Sequence, residues 1–362
     1  MPFVKRYGLP DLDQVILPSE EFTTCWDSRT RNARWVVERI NLDTIEGPGD
    51  RAKAYFRADP RLERLFRSEL SDYRKSGFDR GHLAPAGDHK TTQEYLKETF
   101  LLTNMSPQDP SFNRGYWSDF EEFVRTLIVP DKDGKSGVGE GPPFKDVYAI
   151  TGPLYLPSRK DLPAGGSGST GGGSVVDLDD EADEEGVVDV LSSDPDADPD
   201  AAASKWALKH DIIGNPMRMV AVPTHFFKVI IAEPFPPADA SEGETPKTYI
   251  AAFAMPNVDI PNNYDLRNFL VPLEALESVA GMRFLSAASS KIGGLDRSTR
   301  EFLDGEAVRV RAAAGVAPLT EDWVDRKDNG YRRLEAGEDP TLEDSERRLY
   351  RHLCAVTSCR GV

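Results

Sequence analysis

The residues of this chain best suited to chemistry lie between Phe78 and Glu121. The text there reads GFDRGHLAPAGDHK, then TNMSPQ, then FNRGYWSDFEEF. It gathers Asp79, Arg80, His82, the amides of Asn104 and Asn113, and the carboxylate of Glu121. Imidazole titrates near neutrality and can take a proton from water. An amide oxygen suits a hard cation such as Mg²⁺, which keeps most of its waters and takes few protein ligands. A guanidinium can hold two phosphate oxygens and stabilise charge that builds at phosphorus. Together these groups fit metal-assisted attack of water on a phosphodiester. Alone, DRGH reads better as a turn in which Asp79 pairs with Arg80 and Gly81 permits a positive φ. The spaced partners shift the balance toward chemistry.

Several elements must position this set. Residues 77–86 read as a strand leading into a Pro/Gly turn. Thr91-Thr92-Gln93-Glu94 matches a capping box and predicts a helix running to about Phe100. Phe100-Leu101-Leu102 fits a buried strand whose end carries Asn104. Ser111 is the expected N-cap of a helix ending near Ile128, with Trp117, Phe120, Val124 and Leu127 as its inner face. On one straight helix, Asn113 and Glu121 would sit about 12 Å apart at 1.5 Å per residue. Side chains lean toward the helix start, so Asn113 is expected as the direct metal ligand and Glu121 as a holder of metal-bound waters. A short helix is expected within 51–76 from the spacing of Leu62, Leu65 and Phe66.

Outside that stretch, residues 25–41 read as two β-like runs around the turn DSRTRN. Strand-like runs follow at Val147–Thr151, His210–Ile213, Arg218–Val222, Phe226–Ala232 and Tyr249–Met255, the later ones antiparallel. His225 belongs inside a sheet, and His89, His210 and His352 lack chemical company. Residues 163–204 are a Gly/Ser linker followed by an acid-rich run, read as a disordered insertion in one domain. A first domain over 1–285, which holds the chemical stretch, precedes a C-terminal extension, 286–362, with helical patterns at Ser298–Ala314 and Leu342–Leu353.

The net charge of −17 argues superficially against a polyanionic partner. Thirteen acids and no Lys or Arg fall in residues 161–204, so subtracting them leaves −4 for the rest. Residues 51–100 carry eleven bases against eight acids, a local +3. No apolar run reaches the roughly 18–20 residues of a membrane span. No secretory or basic amphipathic presequence precedes RYGLP, which suggests a chain trimmed to its folded part. Cys25, Cys354 and Cys359 are too few for a disulfide framework and are read as free thiols.

The order DRGH, then N-x-x-P-Q, then N-x3-W-x3-E resembles the DNA/RNA non-specific endonuclease family, in particular its mitochondrial branch. The likeness extends to RNARWVVE at 31–38, DYRKSGFDRGHLAPA at 72–86, TGPLYLP at 151–157, AVPTHFFKVIIAE at 221–233 and FLVPLEALE at 269–277. It implies an α+β fold, a mainly antiparallel sheet with flanking helices and a ββα-metal motif. It implies a Mg²⁺-dependent endonuclease (Mn²⁺ serving as a substitute) that cuts DNA and RNA to 5′-phosphate and 3′-hydroxyl ends. It further implies a homodimer in mitochondria, with a possible nuclear role. Carried over by position, His82 is the general base, Asn113 the metal ligand, Glu121 its water-mediated partner and Asn104 a supporting amide. Arg80 and the more loosely matched Arg57 stabilise the phosphate. Arg74, Lys75, Lys90 and Arg114 are candidate nucleic-acid contacts. The stretch PAGDHK departs from the family's alanine-rich text with an asparagine before the histidine. The alternative is a nucleic-acid-binding or signalling protein whose site is silenced by the acidic insertion or the tail.

Overall fold

The computed structural model describes residues 15–130, 143–159, 206–236, 247–285, 297–315, 350–355, 357 and 359. The acidic insertion lies outside the described residues. In chain order, β1 (Val15–Pro18), β2 (Phe22–Asp27) and β3 (Asn32–Ile40) lead to a one-turn helix, α1 (Leu42–Ile45). Next come α2 (Leu70–Tyr73), β4 (Asp79–His82), α3 (Gln93–Glu98) and β5 (Met105–Gln108). The helices α4 (Pro110–Arg114) and α5 (Tyr116–Thr126) precede β6 (Phe144–Leu154), β7 (Ser158–Arg159) and β8 (Trp206–Ala207). The chain continues through β9 (Ile212–Asn215), β10 (Arg218–Ala221), β11 (His225–Pro234) and β12 (Thr248–Pro256). It closes with α6 (Leu273–Ala280), α7 (Arg297–Ala313) and β13 (Tyr350–His352).

Seven strands form the main sheet in the order β1-β2-β3-β6-β11-β12-β13. Every pairing is antiparallel except β12–β13. The sheet is apolar on both faces. One face packs Ala149, Phe226 and Phe253 against Trp117, Phe120 and Val124 of α5. The other packs Phe227 and Val229 against Leu273 and Leu276 of α6 and Phe302 and Leu303 of α7. Alternation along β11 produces this, since neighbouring side chains such as Phe226 and Phe227 point to opposite faces. The result is an α+β fold, with the chemically interesting segment on the α5 side.

Several elements differ from the sequence expectations, each for a local reason. Between 51 and 76 there is a 3-10 turn at Arg51–Lys53 and then α2, with no helix through Leu62, Leu65 and Phe66. Leu65 and Phe66 are exposed. Arginines occupy carbonyls that a helix would have used internally: Arg67 donates to the oxygens of Asp59 and Leu62, and Arg31 to that of Leu65. The strand expected at 100–102 begins after Asn104, because Leu102–Asn104 forms a 3-10 turn. At the C-terminus, residues 350–352 form a strand parallel to β12 instead of continuing a helix. Cys354 and Cys359 are disulfide-bonded, so only Cys25 is a free thiol among the described residues. Their five-residue separation allows a short clasp after β13.

Candidate active site

The DRGH segment is β4, paired antiparallel with β5 in the register Asp79↔Gln108, Arg80↔Pro107, Gly81↔Ser106 and His82↔Met105. Gly81 is required there. A Cβ at that position would stand 1.8 Å from Oε1 of Gln108 across the pair. Immediately after β5, Asp109 caps α4, accepting hydrogen bonds from the amides of Ser111 (2.8 Å) and Phe112 (3.1 Å), with Pro110 in the first turn. Two strands followed by a helix thus come together around Asp79–His82.

Asp109, not Ser111, begins the helix, and the helix breaks. Gly115 adopts φ −106° and ψ −113°, outside the helical range, which separates α4 from α5. Asn113 and Glu121 therefore sit on different helices, and the straight-helix spacing between them does not apply. A Cβ at Gly115 would lie 2.7 Å from the carbonyl oxygen of Ser111, so the break needs glycine.

Asp79 ties β4 to α4. It accepts hydrogen bonds from Asn113 Nδ2 (2.9 Å) and from Arg114 Nε (2.8 Å) and Nη2 (2.7 Å). It thereby orients Asn113 rather than Arg80, the partner that sequence suggested. Burial works to raise its pKa, but the bonds from Arg114 and Asn113 outweigh that and hold it below the usual carboxylate range. With its amide nitrogen committed to Asp79, Asn113 turns its oxygen away from that carboxylate, as a cation ligand must.

His82 sits in an aromatic setting, its ring 5.6 Å from Phe56 and 5.0 Å edge-on from Phe100. Burial, reinforced by the cations of Arg51, His89 and Arg80, lowers its pKa to about 3. It is therefore neutral at physiological pH. Its Nε2 is buried with no hydrogen-bond partner among the described residues. Behind it, the Asn104 amide is fully used: Nδ2 donates to the carbonyls of Ala84 (2.8 Å) and Thr99 (2.9 Å), and Oδ1 accepts from the Ala84 amide (3.0 Å). Asn104 thus clamps the chain leaving His82 to the end of α3.

The expected cations divide into two groups. Arg80 stacks on Phe56, 4.2 Å from guanidinium carbon to ring centroid, and Arg74, Lys75 and Arg80 line one cleft. Arg57 donates to the Lys97 carbonyl (2.8 Å), and Arg114 to Asp79, so both also tie structure together. Lys90 lies on the loop after His82, its backbone bonded to Thr44 and Gly49.

Glu121 is half-buried in a charged layer under that loop. Burial raises its pKa to about 8, with Lys228 and Arg125 opposing and Asp88 and Glu38 adding to the rise. Arg125 bridges Asp88 and Glu122, each at 2.8 Å. His89, left without company by sequence, is fully buried between Glu21 (Nδ1 to Oε2, 3.1 Å) and Glu38 (Nε2 to Oε2, 2.8 Å). Asp88, Arg125 and Lys228 were missed because their partners are remote in sequence. The one local signal was Arg125 at i+4 from Glu121 on an amphipathic helix.

A strand pair and helix carrying an oriented amide, a neutral imidazole and a guanidinium that makes no ion pair among the described residues define the class. Residues 4–291 match the family model described as DNA/RNA non-specific endonuclease, and the chain belongs to that family and is a nuclease. It is 33% identical to human "Endonuclease G, mitochondrial" over 81% of this chain and 77% of the relative. It is likewise 33% identical to the Saccharomyces cerevisiae "Mitochondrial nuclease", over 77% and 68%. A solved structure titled "Crystal structure of the EndoG/EndoGI complex: Mechanism of EndoG inhibition" superposes with a TM-score of 0.55 at 32% identity, covering 78% of this chain and 89% of that one.

Proposed function

We propose that this nuclease is a divalent-metal-dependent endonuclease hydrolysing phosphodiesters of both DNA and RNA to 5′-phosphate and 3′-hydroxyl ends. The observation that carries this reading is the pairing, through Asp79, of an oriented Asn113 amide with the strand bearing an unpartnered His82 nitrogen. No cluster of three or more His, Cys, Asp or Glu side chains in ligating arrangement occurs among the described residues. A cation that keeps most of its waters suits such a sparse donor set, which favours Mg²⁺, with Mn²⁺ as the substitute. Bound there, it would supply Lewis-acid polarisation of the phosphate and a more acidic water.

The chain's own residues would do the rest. Neutral His82 accepts a proton from the attacking water at a ring nitrogen, neither of which is hydrogen-bonded among the described residues. Arg80, held over the Phe56 ring, offers donors to the phosphate oxygens as charge builds. Arg57, next to Phe56 in sequence, adds a second cation. Asn113 supplies the metal ligand, and Glu121 holds metal-bound waters. Arg74, Lys75, Lys90 and Arg114 contact flanking phosphates. None of these groups has a duty to a ribose 2′-hydroxyl, so both sugars are accepted.

The names of the relatives support a mitochondrial location, and the family resemblance a homodimer. No helix among the described residues is long and apolar enough to cross a membrane. Plasmid nicking with and without chelator tests the reading. Metal-dependent nicking, lost in His82→Ala, is expected. Nicking that persists in chelator would overturn the metal assignment, and no nicking under any metal would leave a nucleic-acid-binding protein.

A further inference from the structure

β4 and β5 form a two-stranded sheet of their own, outside the seven-stranded main sheet. A lone strand pair is marginally stable, and a helix of five residues such as α4 does not hold its own place. The angle at which α4 leaves β5 therefore depends on what grips the joint between Gln108 and Asp109. Ser106 Oγ donates to Asn32 Oδ1 of β3 (2.6 Å), but this tie precedes the joint. The joint itself is gripped by Asn257, the buried residue that follows β12.

Asn257 holds the chain on both sides of Gln108. Its Oδ1 accepts from the Asp109 amide (2.8 Å), and its Nδ2 donates to the Pro107 carbonyl (3.1 Å). Nδ2 also donates to the Pro223 carbonyl (2.9 Å), and the Asn257 backbone amide donates to the Thr224 carbonyl (2.9 Å). The Thr224 amide in turn donates to Leu154, the last residue of β6 (3.0 Å). Donors and acceptor of the Asn257 side chain are all committed, and they fasten the strand-to-helix joint to the main sheet. The path onward to the proposed metal ligand is direct: the Asp109 carbonyl accepts from the Asn113 amide (2.8 Å). The chain after Asn257 also reaches the far end of α4. Tyr116 Oη donates to the Tyr264 carbonyl (2.9 Å), and a Cβ at Gly115 would lie 3.6 Å from Oδ1 of Asn262.

We infer that Asn257 is a positioning residue for the reaction: its amide sets how α4 leaves β5, and through Asp109 it places the Asn113 oxygen relative to His82. This rests on the reading of Asn113 as the metal ligand and His82 as the base, and it adds a residue that acts through them from the main sheet. The side-chain type matters. Alanine offers the joint neither donor nor acceptor. Aspartate, of the same size, keeps an acceptor for the Asp109 amide but turns its second oxygen on the carbonyls of Pro107 and Pro223.

The test uses the full chain, with plasmid nicking read against Mg²⁺ concentration and amide hydrogen exchange read without metal. In Asn257→Ala, the Mg²⁺ concentration for half-maximal nicking should rise about tenfold, the low end for a group that orients a metal ligand. A half-maximal concentration does not depend on how much of the protein is folded. The amides of Asn113 and Gly115, bonded back to Asp109 and Ser111, should exchange about five- to a hundredfold faster, the range for two lost hydrogen bonds. The centres of β6 and β11 should keep their rates, because the loosening is local. Asn257→Asp should show the same pattern without a change of size. An unchanged metal requirement, or exchange that accelerates equally across the chain, would make Asn257 a plain stability residue and overturn the inference while leaving the nuclease reading intact. If no protein, the parent included, nicks under any metal, the nuclease reading fails. Exchange then decides alone: the positioning role stands if α4 loosens by itself and falls if it does not.

Discussion

His82 and His89 are seven residues apart, both buried, and opposite in character. His82 is enclosed by Phe56 and Phe100 with cations nearby, and burial drives its pKa down to about 3. His89 is also removed from water, yet the hydrogen bonds it donates to Glu21 and Glu38 overcome burial and raise its pKa to about 9. Both ring nitrogens of His89 face carboxylates, so both donate and the ring is an imidazolium. Burial alone neutralises an imidazole; burial with two carboxylates charges it. The neutral ring keeps a nitrogen free for chemistry. The charged ring has none to spare and serves as a clamp joining the loop after His82 to β3.

The largest effect should come from testing that division directly. His82→Ala should lower kcat by about 10²–10⁴ with little change in the urea midpoint. In an NMR titration, the His82 ring should stay neutral from pH 8 to pH 5 while that of His89 stays charged. If His82 titrated near 6.5, the aromatic setting would not be controlling it.

Next in size is His89→Gln, which leaves buried Glu21 and Glu38 poorly compensated and should cost about 3–5 kcal/mol of stability. The pH dependence carries opposite signs for the two rings. Because the folded pKa of His89 is raised, its stabilisation is complete below about 6.5, the unfolded value, and is lost as pH rises through about 9. Because that of His82 is depressed, its contribution is present above about 6.5 and fades as pH falls. His225 and His352, each lowered to about 4 by burial, act in the same direction as His82. Denaturant midpoints across pH should therefore peak near neutrality. His89→Gln should flatten the alkaline limb, and His82→Ala should make the acid limb shallower. An unchanged alkaline limb in His89→Gln would mean that His89 is not charged.

Smaller again is the effect of Asp79→Asn, which weakens the hold on Asn113 while leaving the proposed ligand in place. Altering a group that orients a metal ligand typically costs 10–100-fold in metal affinity or activity. The metal concentration for half-maximal nicking should rise by that factor, and saturating metal should restore most of the rate. A loss that saturating metal does not restore would place Asp79 elsewhere in the reaction.

Sequence carried the elements around the candidate site better than the partnerships between them. The strand DRGH, the strands at 147–151, 226–232 and 249–255 and the buried face of α5 all follow from local alternation or 3–4 spacing, which the structure keeps. What local pattern cannot show is partnership across the chain. His89 meets Glu21 and Glu38 from 68 and 51 residues away, and Arg125 meets Asp88 from 37. The break at Gly115 was hidden because glycine inside a helical pattern is tolerated, and only its contact with Ser111 makes it obligatory. Leu65 and Phe66 showed helical spacing, but Arg31 and Arg67 claim backbone oxygens around them.

The contrast between spent and unspent groups extends to the cations, and Arg114 gives the smallest and finest test of it. Its guanidinium is 71% exposed, as a phosphate contact would be, yet both Nε and Nη2 end on Asp79. An exposed ion pair contributes little to stability, roughly 0–1 kcal/mol. Removing a cation that neutralises a phosphate reduces the dependence of log affinity on log salt by about one. If Arg114 chiefly serves Asp79, Arg114→Ala should leave that slope unchanged and raise the metal requirement slightly. Lys75→Ala, which removes a cation that makes no ion pair among the described residues, should reduce the slope. Oligonucleotide binding across a salt series in chelator separates the two. A slope that falls equally in both variants would show that Arg114 reaches the substrate despite its bonds to Asp79, and the division between structural and substrate-facing cations would then not hold at this helix.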